Sequence, residues 1–130
     1  KQVVIISFKE KVIQEIKIKA PQYEAFWLCR FEEQKSGEIT PSLDHVMKTL
    51  EMVRADGLSS CASVPLAVVG ALEKQGFQWH VWTINDVTEA RRLLDWGAQS
   101  ITTDIPGEMI KGLDGKPPAI DLKKSAPGKE

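Results

Sequence analysis

With 130 residues, the chain can bury one sizeable core, but it is short for a closed barrel of eight strand–helix units, which typically needs about 250. A formal net charge of -1 leaves no electrostatic footprint for nucleic acid or an anionic membrane surface, so a ligand is to be sought in a pocket. No apolar run approaches the roughly 20 residues that span a bilayer, and no leader is evident. The compartment, cytoplasmic or periplasmic, therefore stays open.

The chain starts at Lys1 and is apolar from Val3 onward, which leads us to expect a piece of something longer. Val3 to Ser7 reads as a strand covered on both faces in a parallel sheet. From Lys9 to Ala20, the spacing of Val12, Ile13, Ile16 and Ala20 predicts a helix that Pro21 ends. Tyr23 to Arg30 is a second strand, and Glu32 to Pro41 is a polar loop without periodicity. Ser42 then caps a helix with Leu43, Val46, Met47, Leu50 and Val53 on its buried stripe, ending near Gly57.

Leu58 to Ser63 is a third strand, small-residued and placed mainly by its position between helices. Pro65 opens the next helix, Leu66, Val69 and Leu72 form its inner stripe, and Gly76 closes it. Phe77 to Ile84 is rich in aromatic and β-branched residues and reads as a fourth strand. Asp86 and Glu89 make a capping-box pattern before Ala90, Leu93 and Leu94, with Gly97 as a left-handed C-cap. Ala98 to Asp104 is the fifth strand. Residues 1–113 thus form one parallel α/β unit, and residues 114–130 a polar tail rich in proline and lysine.

Cys29 and Cys61 match no zinc or redox spacing and read as buried structural thiols. Parallel sheets place their sites at strand C-terminal ends, here Ser7 and Phe8, Cys29 and Arg30, Ser60 to Ser63, Trp82 to Asn85, and Thr103 with Asp104. No phosphate loop, Walker motif or paired histidine cluster is present. His45 reads as a partly exposed helix residue, and His80 as a hydrogen-bonded core residue rather than a base. Asp104 could hold a metal or orient a base, but the turn before Ile105-Pro106-Gly107 favours a structural role bonding backbone amides. Trp82 reads equally as a pocket wall or as core filling.

The stretch VWTINDVTEARRLLDWGAQSITTDIPGEM resembles the C-terminal signature of glycerophosphodiester phosphodiesterases, a Trp-Thr-Val-Asn strand end followed by Thr-Asp-x-Pro. Those positions are Trp82, Thr83, Ile84 and Asn85, then Thr103, Asp104 and Pro106. Ser7-Phe8, the segment from Pro21 to Leu28 and the helix before Gly76 fall in the family's order. The resemblance implies a TIM barrel of which this chain supplies strands four to eight, an incomplete (β/α)8 barrel.

The resemblance further implies a parent that hydrolyses glycerophosphodiesters to an alcohol and glycerol 3-phosphate with a divalent metal, Mg or Ca. The family's His-Arg-Gly, Glu-x-Asp and Glu-x-Lys motifs and second histidine are not in this sequence, so neither catalytic residues nor metal ligands are expected here. Phe8 and Trp82 match positions lining the substrate's glycerol moiety, and Ser7, Thr83, Asn85 and Asp104 match rim positions. Ala98-Gln99-Ser100 departs from the family's Val-Asp-Gly. Ile105 replaces an arginine, which removes a positive charge near the mouth.

Whether the chain acts as an enzyme by itself is left open by the missing motifs, and inactivity is expected. Two alternatives stand beside this reading. One is a non-catalytic binding or assembly module, a half-barrel that pairs with itself or with an N-terminal partner. The other is an open flavodoxin-like sheet binding a nucleotide.

Overall fold

The structure, a computed structural model, describes residues 3–114. The tail expected over 114–130 lies outside these apart from Asp114. The elements run β1 (Val4–Ser7), α1 (Glu10–Lys19), β2 (Glu24–Cys29), β3 (Glu32–Glu33), β4 (Ile39–Thr40), α2 (Leu43–Val53), β5 (Gly57–Ser60), α3 (Leu66–Gln75), β6 (Gln78–Val81), α4 (Val87–Asp95), β7 (Ser100–Ile101) and α5 (Pro106–Asp114). Five strands form one sheet in the order β1-β2-β5-β6-β7, and every pair in it is parallel.

Each strand of that sheet lies beside the one before it in the chain. The order never reverses, so there is no crevice at a switch point of the kind in which open doubly wound sheets bind nucleotides. That topology overturns the flavodoxin-like alternative. Right-handed crossovers place the helices on one side of the sheet, where α1 packs on α2, α2 on α3, and α4 on α5.

Alternation within the strands decides what faces the helices. Trp27, Cys29, Leu58, Trp79 and Val81 are buried there with Ile13, Leu50, Val68 and Leu93. On the opposite, concave face lie Val4 and Ile6, which remain 46% and 54% exposed. Phe26 on that face is fully buried, its ring tilted against His80 at 4.0 Å between centroids.

The central strand β5 is made of small residues for a steric reason. A Cβ built on Gly57 would sit 2.1 Å from the Gln78 carbonyl oxygen and 2.8 Å from Cε1 of Phe26. Only glycine lets the neighbouring backbone and the Phe26 ring approach this closely. On the helix side, Ser60 Oγ accepts the Trp79 indole N–H at 2.9 Å and donates to the Cys61 carbonyl at 3.0 Å. A larger apolar residue there would orphan the buried indole.

The caps follow the sequence closely. Ser42 Oγ accepts from His45 N at 3.2 Å, and Gly76 and Gly97 take φ +78° and +112° after their helices. Asp86 Oδ1 accepts from the amides of Thr88 and Glu89 at 2.8 and 3.2 Å. Glu89 turns to Arg92 at 3.4 Å instead of completing the capping box.

Boundaries differ where backbone partners are shared. The expected loop at 32–41 contains the short antiparallel ribbon β3–β4. Helix α2 stops at Arg54, with φ 57°, because the next residues already join the sheet: Asp56 N donates to the Ala25 carbonyl at 2.9 Å. The third strand shifts to Gly57–Ser60. The fifth shrinks to Ser100–Ile101, flanked by the Gln99 side chain, which accepts from Trp79 N at 2.8 Å.

Helix α5, which the sequence reading does not single out, starts at Pro106 and brings Gly112 against Val87, whose Cγ2 would lie 2.6 Å from an added Cβ. The Gly57→Ala substitution is expected to destabilise the fold by ~3 kcal/mol or more. Urea unfolding followed by circular dichroism measures it, and an unchanged midpoint would remove Gly57 as the reason for the close approach.

Candidate functional site at the strand C-terminal ends

The backbone parity that puts Phe26 on the concave face carries on past the ends of the strands. Phe8, Arg30 and Trp82 come together above that face from β1, β2 and β6. The Phe8 ring meets Trp82 edge-on at 6.0 Å, and the Arg30 guanidinium lies 5.0 Å from the Trp82 ring centroid. Phe8 is 57% exposed. Its carbonyl accepts the Trp27 indole N–H at 3.1 Å, which anchors the turn that presents the ring. The Trp82 indole Nε1 is buried and finds no hydrogen-bond partner among the described residues.

The rim on the β6–β7 side is a separate, tightly bonded unit. Asn85 Oδ1 accepts from Asp104 N at 2.9 Å and from Thr103 Oγ1 at 3.0 Å. Asn85 Nδ2 donates to Asp104 Oδ2 at 3.1 Å. Thr103 Oγ1 accepts from Ile105 N at 3.2 Å. The turn's amides are thus held by Asn85 and Thr103, whereas Asp104, expected to bond them with its carboxylate, accepts from Asn85 instead.

Ser7 Oγ accepts from Lys9 N at 3.0 Å and shapes the entry to α1. Thr83 is exposed and joins Trp82 through a cis peptide bond. Past the two strands that lie between those of Phe8 and Trp82, Cys61 Sγ accepts from Phe31 N at 3.3 Å, and Ser63 Oγ donates to the Phe31 carbonyl at 3.1 Å. These two bonds tie the chain leaving β2 to the chain leaving β5.

The match to the family's sequence profile, glycerophosphoryl diester phosphodiesterase, covers residues 1–108. The chain belongs to that family. Among curated proteins no relative matches at a significant level. Solved structures share the fold. A phosphodiesterase from Oleispira antarctica, in complex with the product sn-glycerol-3-phosphate, superposes with TM-score 0.69 at 18% identity over 86% of this chain and 42% of its own. A putative glycerophosphoryl diester phosphodiesterase from Silicibacter pomeroyi gives 0.66 at 23% identity, over 85% and 37%. A glycerophosphodiester phosphodiesterase from Parabacteroides distasonis gives 0.60 at 27% identity, over 82% and 40%.

This chain therefore spans less than half the length of those structures, and its fold is five consecutive strand–helix units of a (β/α)8 barrel. In such a barrel the concave face is the interior and the strand C-terminal ends form the mouth. Phe8, Arg30 and Trp82 lie at that mouth.

A divalent metal, implied by the family, does not fit the residues at this mouth. Among the described residues no three His, Cys, Asp or Glu side chains converge on a cation position, and Asp104 is engaged by Asn85. A cavity of 280 Å³ between α3 and α4 lies at the other end of the sheet, lined by Gly76, Phe77, Trp96 and Gly97, away from the mouth.

Both histidines stand apart from the mouth cluster. His45 is exposed on α2, its ring 6.2 Å from Trp27. His80 is half-buried in the barrel interior. Its imidazole, expected to be hydrogen-bonded, stacks on Phe26 and makes no hydrogen bond among the described residues. Both cysteines are free and buried. Burial first, and the neighbouring Cys61 second, push the Cys29 thiol up to about 12, so it is no nucleophile at neutral pH.

Sequence reasoning placed Arg30 at a strand end without singling it out as a site residue. The signal that could have found it is its parity with Phe26 and Leu28, which turns it to the barrel interior.

Burial lowers the His80 pKa below 6.5, against a smaller opposing effect of Glu24. The unfolded chain takes up the proton first as pH falls, so this group's stabilisation is complete above pH ~6.5 and declines below it. His80→Phe is expected to flatten that part of the acid-side decline. Urea unfolding of both proteins from pH 7 to pH 5 checks it, and parallel curves would show that His80 carries no linkage.

Proposed function

We propose that this chain forms the C-terminal part of a glycerophosphodiester phosphodiesterase barrel, whose complete form hydrolyses glycerophosphodiesters to an alcohol and glycerol 3-phosphate. The chain's contribution is one wall of the mouth. Phe8 and Trp82 supply apolar surface for the glycerol moiety, and Ser7, Thr83, Asn85 and Asp104 hold the rim in shape. The acid–base pair and the divalent metal, which would stabilise charge on the phosphoryl oxygens, belong to strands this chain does not contain. The observation that carries this reading is the Phe8–Trp82–Arg30 cluster at the mouth of five barrel units, with no cation-holding cluster beside it among the described residues.

A second reading is favoured by one feature: Val4 and Ile6 leave an apolar interior face open along β1. Such a surface and an unpaired strand edge invite a partner. A half-barrel that pairs with itself would elute as a dimer in sizing with light scattering, and a monodisperse monomer would dismiss it.

The purified chain, given Mg or Ca and a glycerophosphodiester, is expected to release no glycerol 3-phosphate. Metal-dependent release by the chain alone would overturn the division of labour. In a protein that joins this chain to the family's His-Arg-Gly strand, Trp82→Ala is expected to raise KM roughly ten-fold through lost aromatic contact. Metal affinity by calorimetry should stay the same, and unchanged kinetics would dismiss the wall.

A further inference from the structure

We infer that Arg30 is the mouth's anion-binding residue in this half of the barrel, a specificity determinant that takes the phosphoryl oxygens of the substrate and of the phosphomonoester product. Only the identity of the anion rests on the proposed function; the anion site itself stands on geometry. Arg30 is the first residue past β2, with the parity of Phe26 and Leu28, so it projects over the barrel interior at the end where substrates of this fold bind.

Its guanidinium is placed by the Trp82 ring at 5.0 Å. Attraction to an aromatic face uses none of the five N–H donors. Among the described residues Arg30 forms no ion pair and no side-chain hydrogen bond. Glu32 and Glu33 follow it closely but are exposed on the β3–β4 ribbon without pairing to it. A positioned cation with its whole donor fork unspent, above an apolar wall made by Phe8 and Trp82, fits a ligand with an anionic oxygen cluster and a short carbon chain.

Geometry also explains why an arginine serves here. Its planar fork meets two phosphoryl oxygens at once, and aromatic stacking holds it in place before the ligand arrives. Where the resemblance implies an arginine at position 105, this chain has Ile105. Arg30 thus keeps a positive charge at the mouth from a different strand.

The chain itself provides the first test, with inorganic phosphate as probe and the side-chain N–H signals of Arg30 and Trp82 followed by NMR. Saturable shifts of both, lost in Arg30→Gln and weakened in Arg30→Lys, are expected. Arg30 is exposed, so the variants should keep the wild-type amide spectrum. No shift, or the same shift in Arg30→Gln, overturns the inference.

The second test uses the joined protein. Arg30→Gln should raise KM and weaken inhibition by glycerol 3-phosphate roughly ten- to a hundred-fold, with kcat little changed. A fall in kcat at constant KM overturns the binding role. A joined protein that binds phosphate at Arg30 yet cleaves no glycerophosphodiester would refute the proposed function and leave the anion site standing. One that cleaves it with kinetics indifferent to Arg30 would do the reverse.

Discussion

The curvature of this sheet depends on how little side-chain volume its central strand carries. Gly57 stands where a Cβ would strike both the Gln78 carbonyl and the Phe26 ring. Because that space is left empty, Phe26 can lie fully buried across the concave face and reach His80, a residue of β6. The ring thus bridges β5 from above, while the ladder bonds it from either side. The Glu24 and Gln78 side chains, hydrogen-bonded to each other, repeat this bridge one layer nearer the strand N-terminal ends. Two layers of contact over a strand without bulk make a surface that bends toward its own interior.

That curvature is what makes the mouth. Phe8 and Trp82 belong to strands that are not neighbours, with β2 and β5 between them, yet their rings meet at 6.0 Å. On a flat sheet, residues three strands apart would be separated by about 14 Å. Convergence of the strand ends closes that gap and lets Arg30 rest on Trp82. The rim is built differently, from short polar side chains of the two loops after β6 and β7. Asn85 can accept from Thr103 and Asp104 while donating to Asp104, so one amide locks two loops with every bond directional.

The proposed division between wall and chemistry also has a physical basis. A residue that works as acid, base or metal ligand needs an environment that moves its proton or holds a cation. Here the perturbed groups sit elsewhere. His80 is held neutral against Phe26 inside the barrel, and Cys29 is kept protonated in the core. Cys29 Sγ reaches the backbone carbonyl of Arg30 at 3.9 Å, and burial is the larger cause of both shifts.

Much of this was legible without coordinates. Helix caps at Ser42 and Asp86, closing glycines at Gly76 and Gly97, and the five-fold alternation of strands and helices are local, since each depends on backbone groups within one turn. The Thr-Asp-x-Pro and Trp-Thr-x-Asn patterns carried the family because they too are contiguous. The weak third strand could be placed only by position, since its small residues answer to Phe26 and Trp79, side chains on other strands. The loop ribbon and the early stop of α2 depended on pairing partners that no local pattern reveals. By itself the sequence determined the order of the five main strands and the four helices between them, the caps at Ser42, Gly76, Asp86 and Gly97, and the family. Only the tertiary structure decided that Phe8, Arg30 and Trp82 share one surface, because that requires the sheet to curve, and the curve depends on a clash avoided between Gly57 and residues far from it in the chain.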